Sequence, residues 1–310
     1  MSPTEARPVD KDWLMTIAPT PLPAEPSYRN ELEIQFFGLQ RSGNHAVLSW
    51  MFQQFDDPVF FFNNVTHFED PILNFHFARL PNTVTVSRGP PPGASGHGLV
   101  QAGVQQHLEE IRSRKKHVLV YSYENLPLAK LPTRALVGER ERHLGVSART
   151  HRVLLLRDFY NWIASRLRLF ENKGQALPPA RRIAGLVALW LTYAREYADE
   201  TRFLLGEEVI KISYNRWAED ENYRACLLNQ LSIPIKDNSN GHVPDVGGGS
   251  SFDGMLPGGS KNMQLGERWR YLLEDKFAGL FDLVQQRLEE VERYNLLIFG
   301  LSSPFRQNSF

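Results

Sequence analysis

The stretch EIQFFGLQRSGNHAVLSW, residues 33–50, passes from a β-rich run through a glycine turn into a helical pattern. The run ELEIQFFG ends at Gly38, and the following SGNHAVLSWMFQQF places Val47, Leu48, Met51 and Phe55 at the spacing of one helix face. The same order recurs along the chain. HVLVYSYEN, HRVLLLRD and EEVIKISYN read as buried strands, and PVFFFNNV is a further apolar run. GVQQHLEEIRSRKK, FYNWIASRLRLFEN, RRIAGLVALWLTYAREYADE and EDENYRACLLNQL read as helices, and helical periodicity returns in GERWRYLLEDKFAGLFDLVQQRLEEVERYNL. Strands alternating with helices predict an α/β fold: a central, mainly parallel sheet with helices on both faces.

The 310 residues suffice to bury a large core. Its 35 basic and 35 acidic residues cancel, so no global field draws the chain to nucleic acid or an anionic membrane, and any anion site must be local. The single cysteine, Cys226, forms no internal disulfide, which fits a reducing cytoplasm. The first thirty residues contain six prolines and no signal-like apolar region, and no apolar run approaches the ~20 residues of a membrane span. The expectation is an extended arm at 1–32, one α/β domain at 33–300 and a tail at 301–310. LPNTVTVSRGPPPGASGHGLVQAG (80–103) and KDNSNGHVPDVGGGSSFDGMLPGGSKN (236–262) read as loops. The oligomeric state is not visible in the sequence.

Gly38 and Gly43 stand at the spacing of a phosphate-binding loop, in which backbone N–H groups and a helix N-terminus surround an anion. A triphosphate loop continues with Lys and then Ser or Thr, the latter for Mg²⁺. Here those positions are Asn44 and His45, which argues against ordinary phosphoryl transfer. A cation stands instead inside the loop at Arg41, followed by Ser42, and one guanidinium suits a sulfonate or a single phosphate. A tight structural turn with a solvent-facing Arg41 is the competing reading of these residues.

The second informative segment is HRVLLLRDFYNWIASRLRLF, where Arg157 ends a buried strand, the end at which open α/β sheets collect ligands. Ser165 follows eight residues later, a little over two helical turns, so the two side chains could converge on an anion beside that helix. The segment equally allows Ser165 to face solvent and Arg157 to pair with Asp158.

Together, GLQRSGNHAVLSW and VLLLRDFYNWIASRL resemble the two cofactor motifs of the sulfotransferases that use 3′-phosphoadenosine 5′-phosphosulfate (PAPS). The resemblance implies a three-layer P-loop-type domain, with the first loop holding the 5′-phosphosulfate and Arg157 with Ser165 holding the 3′-phosphate. By position, Arg41 stands for the family's lysine, Ser42 and Gly43 match, and Asn44 and His45 replace two threonines. The resemblance extends to VIKISYNRWAEDENYRACLLNQL, which puts Tyr214 near the adenine and Asn215 where the family has an acid. It extends also to GGSKNMQLGERW, which makes Lys261, Ser251 and Arg268 candidates for the 3′-phosphate.

What the resemblance implies is sulfuryl transfer from PAPS to a hydroxyl or amine of a small-molecule acceptor, without a metal. Arg41 would meet charge on the departing phosphate. The strand and turn VLVYSYENLPLAKLP resemble the family segment that ends in a general base, which makes Glu124 the first choice; His67 and Glu69 of FFFNNVTHFEDP compete. Phe60, Phe61, Phe62, Phe68, Phe75 and Phe77 line an acceptor pocket or belong to the core. Two other readings stand beside this one. A nucleotide kinase or hydrolase with a degenerate loop would need a magnesium carboxylate, for which only Asp158 is placed; a binding protein would keep the nucleotide and lose the chemistry. The nine histidines lack metal-ligand spacing.

Overall fold

The computed structural model describes residues 29–56, 59–65, 77–79, 85–87, 115–130, 141, 144–204, 209–240, 252, 265–277 and 285–304. Residues 103–114 of the predicted helix and most of both long loops lie outside these residues, as do the arm up to residue 28 and His67, Glu69, Ser251 and Lys261; Lys116, read as the end of that helix, instead opens a strand.

Among the described residues eight strands form one sheet: β1 (Arg29–Gly38), β2 (Val59–Asn63), β3 (Phe77–Arg79), β4 (Thr85–Ser87), β5 (Lys116–Glu124), β6 (Val146–Ser147), β7 (Thr150–Leu156) and β8 (Val209–Ser213). Their order is β4-β3-β2-β5-β1-β7-β8, with the short β6 paired to β1. β2, β5, β1, β7 and β8 are parallel, whereas β3 and β4 add an antiparallel edge. β4 falls inside the segment that the sequence reads as loop.

The helices are α1 (Asn44–Phe52), α2 (Phe159–Asn172), α3 (Ala180–Tyr197), α4 (Tyr214–Glu219), α5 (Glu221–Gln230) and α6 (Gln285–Phe299). Alternation along the strands sorts them into two layers. Leu32, Ile34 and Phe36 of β1, with Val118, Val120, Val153 and Leu155, pack against Leu48 and Met51 of α1, Trp217 of α4 and Leu228 of α5. Phe37, Leu119, Tyr121, Leu154 and Leu156 face the other way, toward Trp162 of α2, Trp190 of α3 and Tyr294 of α6. The fold is therefore a three-layer α/β sandwich. Phe60 and Phe62 join the second core and Phe61 the first, so these three rings pack the sheet. Among the described residues no helix is long and apolar enough to cross a membrane.

Two readings of local structure need correction. Tyr214 does not end a strand; Ser213 accepts a hydrogen bond from Arg216 N and caps a new helix there. The periodicity from Gly266 to Leu296 is not one helix but 3₁₀ turns at Arg268–Leu273 and Asp275–Phe277, followed by α6. Apolar spacing alone does not distinguish a continuous helix from successive turns packed on one core.

Polar groups also lie inside the sheet. Glu33 of β1 accepts hydrogen bonds from Tyr121, Ser147 and Gln35. Lys116, wholly buried, donates to the Leu144 carbonyl at 3.2 Å, and burial pushes its pKa down to about 8 from 10.5. The cost of charging it inside the protein is at full size below pH 8 and shrinks as the pH climbs toward the ordinary lysine value. Lys116→Met should therefore exceed the native protein in stability by up to roughly 3 kcal/mol at neutral pH. Urea unfolding should show that gap narrowing toward pH 10; a gap that does not change with pH would clear the lysine charge as its cause.

Candidate functional site

The parallel register sets four strand ends side by side. Gly38 lies opposite Glu124 on one flank and Leu155 on the other, and Leu156 lies opposite Ser213. The residues that follow these ends, the 39–43 loop, Arg157 and Tyr214, thus share the C-terminal edge of the sheet with Glu124, at strand spacings of about 4.8 Å. The chain leaves β1 for α1 on one face and leaves β7 for α2 on the other, which opens a crevice above β1 and β7.

The loop is tight because its glycines have no room for a side chain. A Cβ on Gly38 would stand 2.2 Å from Asn44 Oδ1, and one on Gly43 would stand 2.0 Å from Cε2 of Tyr214. Gly43 also has φ 94°, and Arg41 holds the left-handed region at φ 74°, an arrangement that costs a non-glycine residue roughly 1 kcal/mol or more. Asn125, also left-handed at φ 57°, buttresses the loop: its N–H donates to Gly38 O at 3.1 Å and its Oδ1 accepts from Gln40 N at 2.9 Å.

α1 opens at Gly43 with no side-chain cap, whereas Asp158, Ser213 and Asp220 cap α2, α4 and α5. Within α1, Ala46 N and Val47 N donate to Gly43 O at 3.0 and 3.1 Å, and the positive end of the helix dipole is turned to the crevice. Ser42 is fully buried, and its Oγ has no partner among the described residues. A buried hydroxyl without a partner costs about 1–3 kcal/mol, so a loop that keeps one is suited to an acceptor brought from outside. Burial, with the nearby Arg157 charge, lowers the Arg41 pKa, and Glu124 opposes the shift.

Asn44 and His45 turn toward neighbouring strand ends. Asn44 Nδ2 donates to Leu39 O at 3.2 Å and to Glu124 Oε1 at 3.1 Å. His45 Nε2 lies 2.9 Å from Asn63 Oδ1, which also accepts from Ser122 Oγ at 3.1 Å. Because an amide oxygen only accepts, Nε2 carries the proton in this arrangement. Glu124 is half-buried at the end of β5, held through Asn44 against the loop.

The second motif closes on the first. Ser165 is fully buried and does not face solvent; Arg157, 1% exposed, donates from Nη1 to Ser165 Oγ at 3.4 Å and from Nη2 to Leu265 O at 2.5 Å. Arg268 donates to the same Oγ at 3.4 Å. Ser165 sends its own proton to Asn161 O at 2.9 Å. Arg157 does not pair with Asp158, whose oxygens accept from Asn161 and from Asn215 Nδ2, the latter at 2.9 Å. Tyr214 touches both halves: its Cε2 lies against Gly43, and the Arg157 guanidinium carbon is 5.0 Å from its ring centroid.

Sequence reasoning missed Asn161 and Arg166. Asn161 Oδ1 accepts from Trp269 N at 3.0 Å and its Nδ2 donates to Gly266 O at 3.1 Å, which brings Arg268 to Ser165. Arg166, 7% exposed, donates to Gln40 Oε1 of the loop. The available signal was helical phase, since Asn161 and Ser165 stand four apart on α2, as do Trp162 and Arg166.

No protein-family model and no curated protein sequence matches the chain. Among solved structures it is similar to the sulfotransferase domain from the Synechococcus PCC 7002 olefin synthase, at 16% identity and TM-score 0.40, over 85% of this chain and 97% of that one. It is similar as well to the sulfotransferase domain from the curacin biosynthetic pathway, at 16% identity and TM-score 0.41, over 83% of this chain and 98% of that one.

Proposed function

We propose that the chain transfers a sulfuryl group from PAPS to a hydroxyl or amine of a small-molecule acceptor, leaving adenosine 3′,5′-bisphosphate. The observation that carries this reading is the convergence of Arg157 and Arg268 on Ser165 Oγ, joined through Tyr214 to the loop at Gly43. Each donor lies 3.4 Å from the same oxygen, so the donating nitrogens stand within about 7 Å of each other. At an effective dielectric near 20 their charges repel by roughly 2 kcal/mol, and an anion of a single phosphate's size would offset this. That is one anion site beside α2, and the uncapped start of α1 with Ser42 is a second.

PAPS would supply an activated sulfuryl group at the end of its 5′-phosphate, and the same nucleotide bears a 3′-phosphate on its ribose. Arg157, Ser165 and Arg268 would hold its 3′-phosphate, and Tyr214 would lie beneath the nucleotide. Arg41, Ser42 and the first-turn amides of α1 would hold its other end and oppose charge on the departing phosphate. Glu124 would accept the proton of a hydroxyl acceptor. His45 donates to Asn63, away from this line, and serves the loop's position. Asp158, the metal-ligand candidate of the kinase or hydrolase reading, caps α2, and its oxygens accept from Asn161 and Asn215.

The test is transfer of label from ³⁵S-PAPS to a panel of alcohols and amines by the native protein and Glu124→Gln. Turnover of an alcohol should fall about 100-fold or more in the variant, in the range expected when a general base is lost. Affinity for adenosine 3′,5′-bisphosphate should stay within about twofold, since Asn44 retains an oxygen acceptor. Equal turnover by both proteins would remove Glu124 as the base.

A further inference from the structure

α2 carries two ridges. Asn161 and Ser165 form one, facing Arg157, Arg268 and the 265–269 segment. Trp162, Arg166 and Phe170 form the other, four residues apart, and its first two members reach the loop. Trp162 Nε1 donates to Gln40 O at 3.0 Å, and Arg166 donates to Gln40 Oε1. Arg182, exposed at the start of α3, stacks on Phe170 with its guanidinium carbon 4.7 Å from the ring centroid.

Arg166 is the unusual member. It is 93% buried, Gln40 is its one hydrogen-bond acceptor among the described residues, and its buried Nε has none. Three charged groups act on it: Glu124 favours its charge, while Arg182 and Arg41 oppose it. Burial dominates and lowers its pKa to about 10, so it remains a cation at neutral pH. A buried charge with no carboxylate in contact costs several kcal/mol unless an anion meets it. With Nη1 given to Gln40, the Nε–Nη2 edge is left, the edge that meets the two oxygens of a carboxylate in parallel. Glu124, the candidate base, is the strongest of the three charges acting on this cation, which puts the guanidinium within electrostatic reach of it.

We propose that Arg166 is an acceptor-specificity residue: the acceptor carries its own carboxylate, which pairs with the Nε–Nη2 edge of Arg166 while its hydroxyl faces Glu124. This rests on the transferase reading above. The probes are 3-hydroxybutyrate, 3-hydroxydecanoate and 4-hydroxyphenylacetate, each with its methyl ester, titrated by calorimetry into protein saturated with adenosine 3′,5′-bisphosphate and into protein without nucleotide. At least one acid should bind about tenfold more tightly than its ester, in line with one charge-assisted pair. Arg166→Gln should shrink that preference below about threefold and leave affinity for the bisphosphate within twofold. The inference is overturned if no acid is preferred, if the preference survives in Arg166→Gln, or if that variant weakens the bisphosphate as much as the acid, which would make Arg166 a clamp on the loop. Failure of the bisphosphate to bind would instead sink the transferase reading, and the titrations without nucleotide would still decide the acid site.

Discussion

Replacing Arg157 with Ala should raise the Kd for adenosine 3′,5′-bisphosphate about 100-fold, equivalent to about 2.7 kcal/mol, and abolish its preference over AMP. Arg157 brings a buried charge to Ser165 from the end of β7, and hydrogen bonds to charged groups contribute about 1.5–3 kcal/mol each. AMP lacks the 3′-phosphate, so its affinity should change by less than about threefold. Arg157 also stacks on Tyr214 and holds the Leu265 carbonyl, so the variant will lose stability as well as affinity. Ser165→Ala separates the two effects: it removes the shared hydroxyl but not the packing, and should cost about tenfold in bisphosphate affinity with little change in melting temperature. If both variants keep the preference over AMP, the clamp does not hold a 3′-phosphate.

Gly43→Ala should destabilise the protein by about 3 kcal/mol and lower its melting temperature by roughly 6 °C or more. Two independent costs add at this position. The new Cβ would stand 2.0 Å from the Tyr214 ring, and the backbone at φ 94° is one that L-residues adopt only under strain. Adding Tyr214→Ala relieves the first cost and not the second, so the double variant should be more stable than the sum of the two single changes predicts. A melting temperature within 2 °C of native for Gly43→Ala would mean that the loop and Tyr214 are not in the contact described.

The strands β1, β2, β5, β7 and β8 and the helices α1, α2, α3 and α5 were readable because burial imposes its period on their residues. FYNWIASRLRLFEN coincides with α2 from end to end, for the added reason that Asp158 caps it. Tyr214 was placed on the wrong element, since whether a polar step such as Ser213 ends a strand or caps a helix depends on the chain that packs above it. Ser165 could not be told from a solvent-facing serine until Arg268 arrived from a segment 103 residues away. For Arg166 helical phase with Trp162 was the one signal, and it does not single out an arginine beside a motif serine; its burial is a tertiary fact. The edge strands β3 and β4, three residues each, are too short for a period to declare itself.

The proposed function has the edge of this sheet hold a nucleotide by a 3′-phosphate and a 5′-phosphosulfate, without triphosphate chemistry. Calorimetric titration of the native protein with adenosine 3′,5′-bisphosphate, AMP and ATP tests it most directly. The bisphosphate should bind at least about tenfold more tightly than either of the others, as expected for one additional charged contact that only it can make. Equal affinity for all three, or a preference for ATP, would contradict the account.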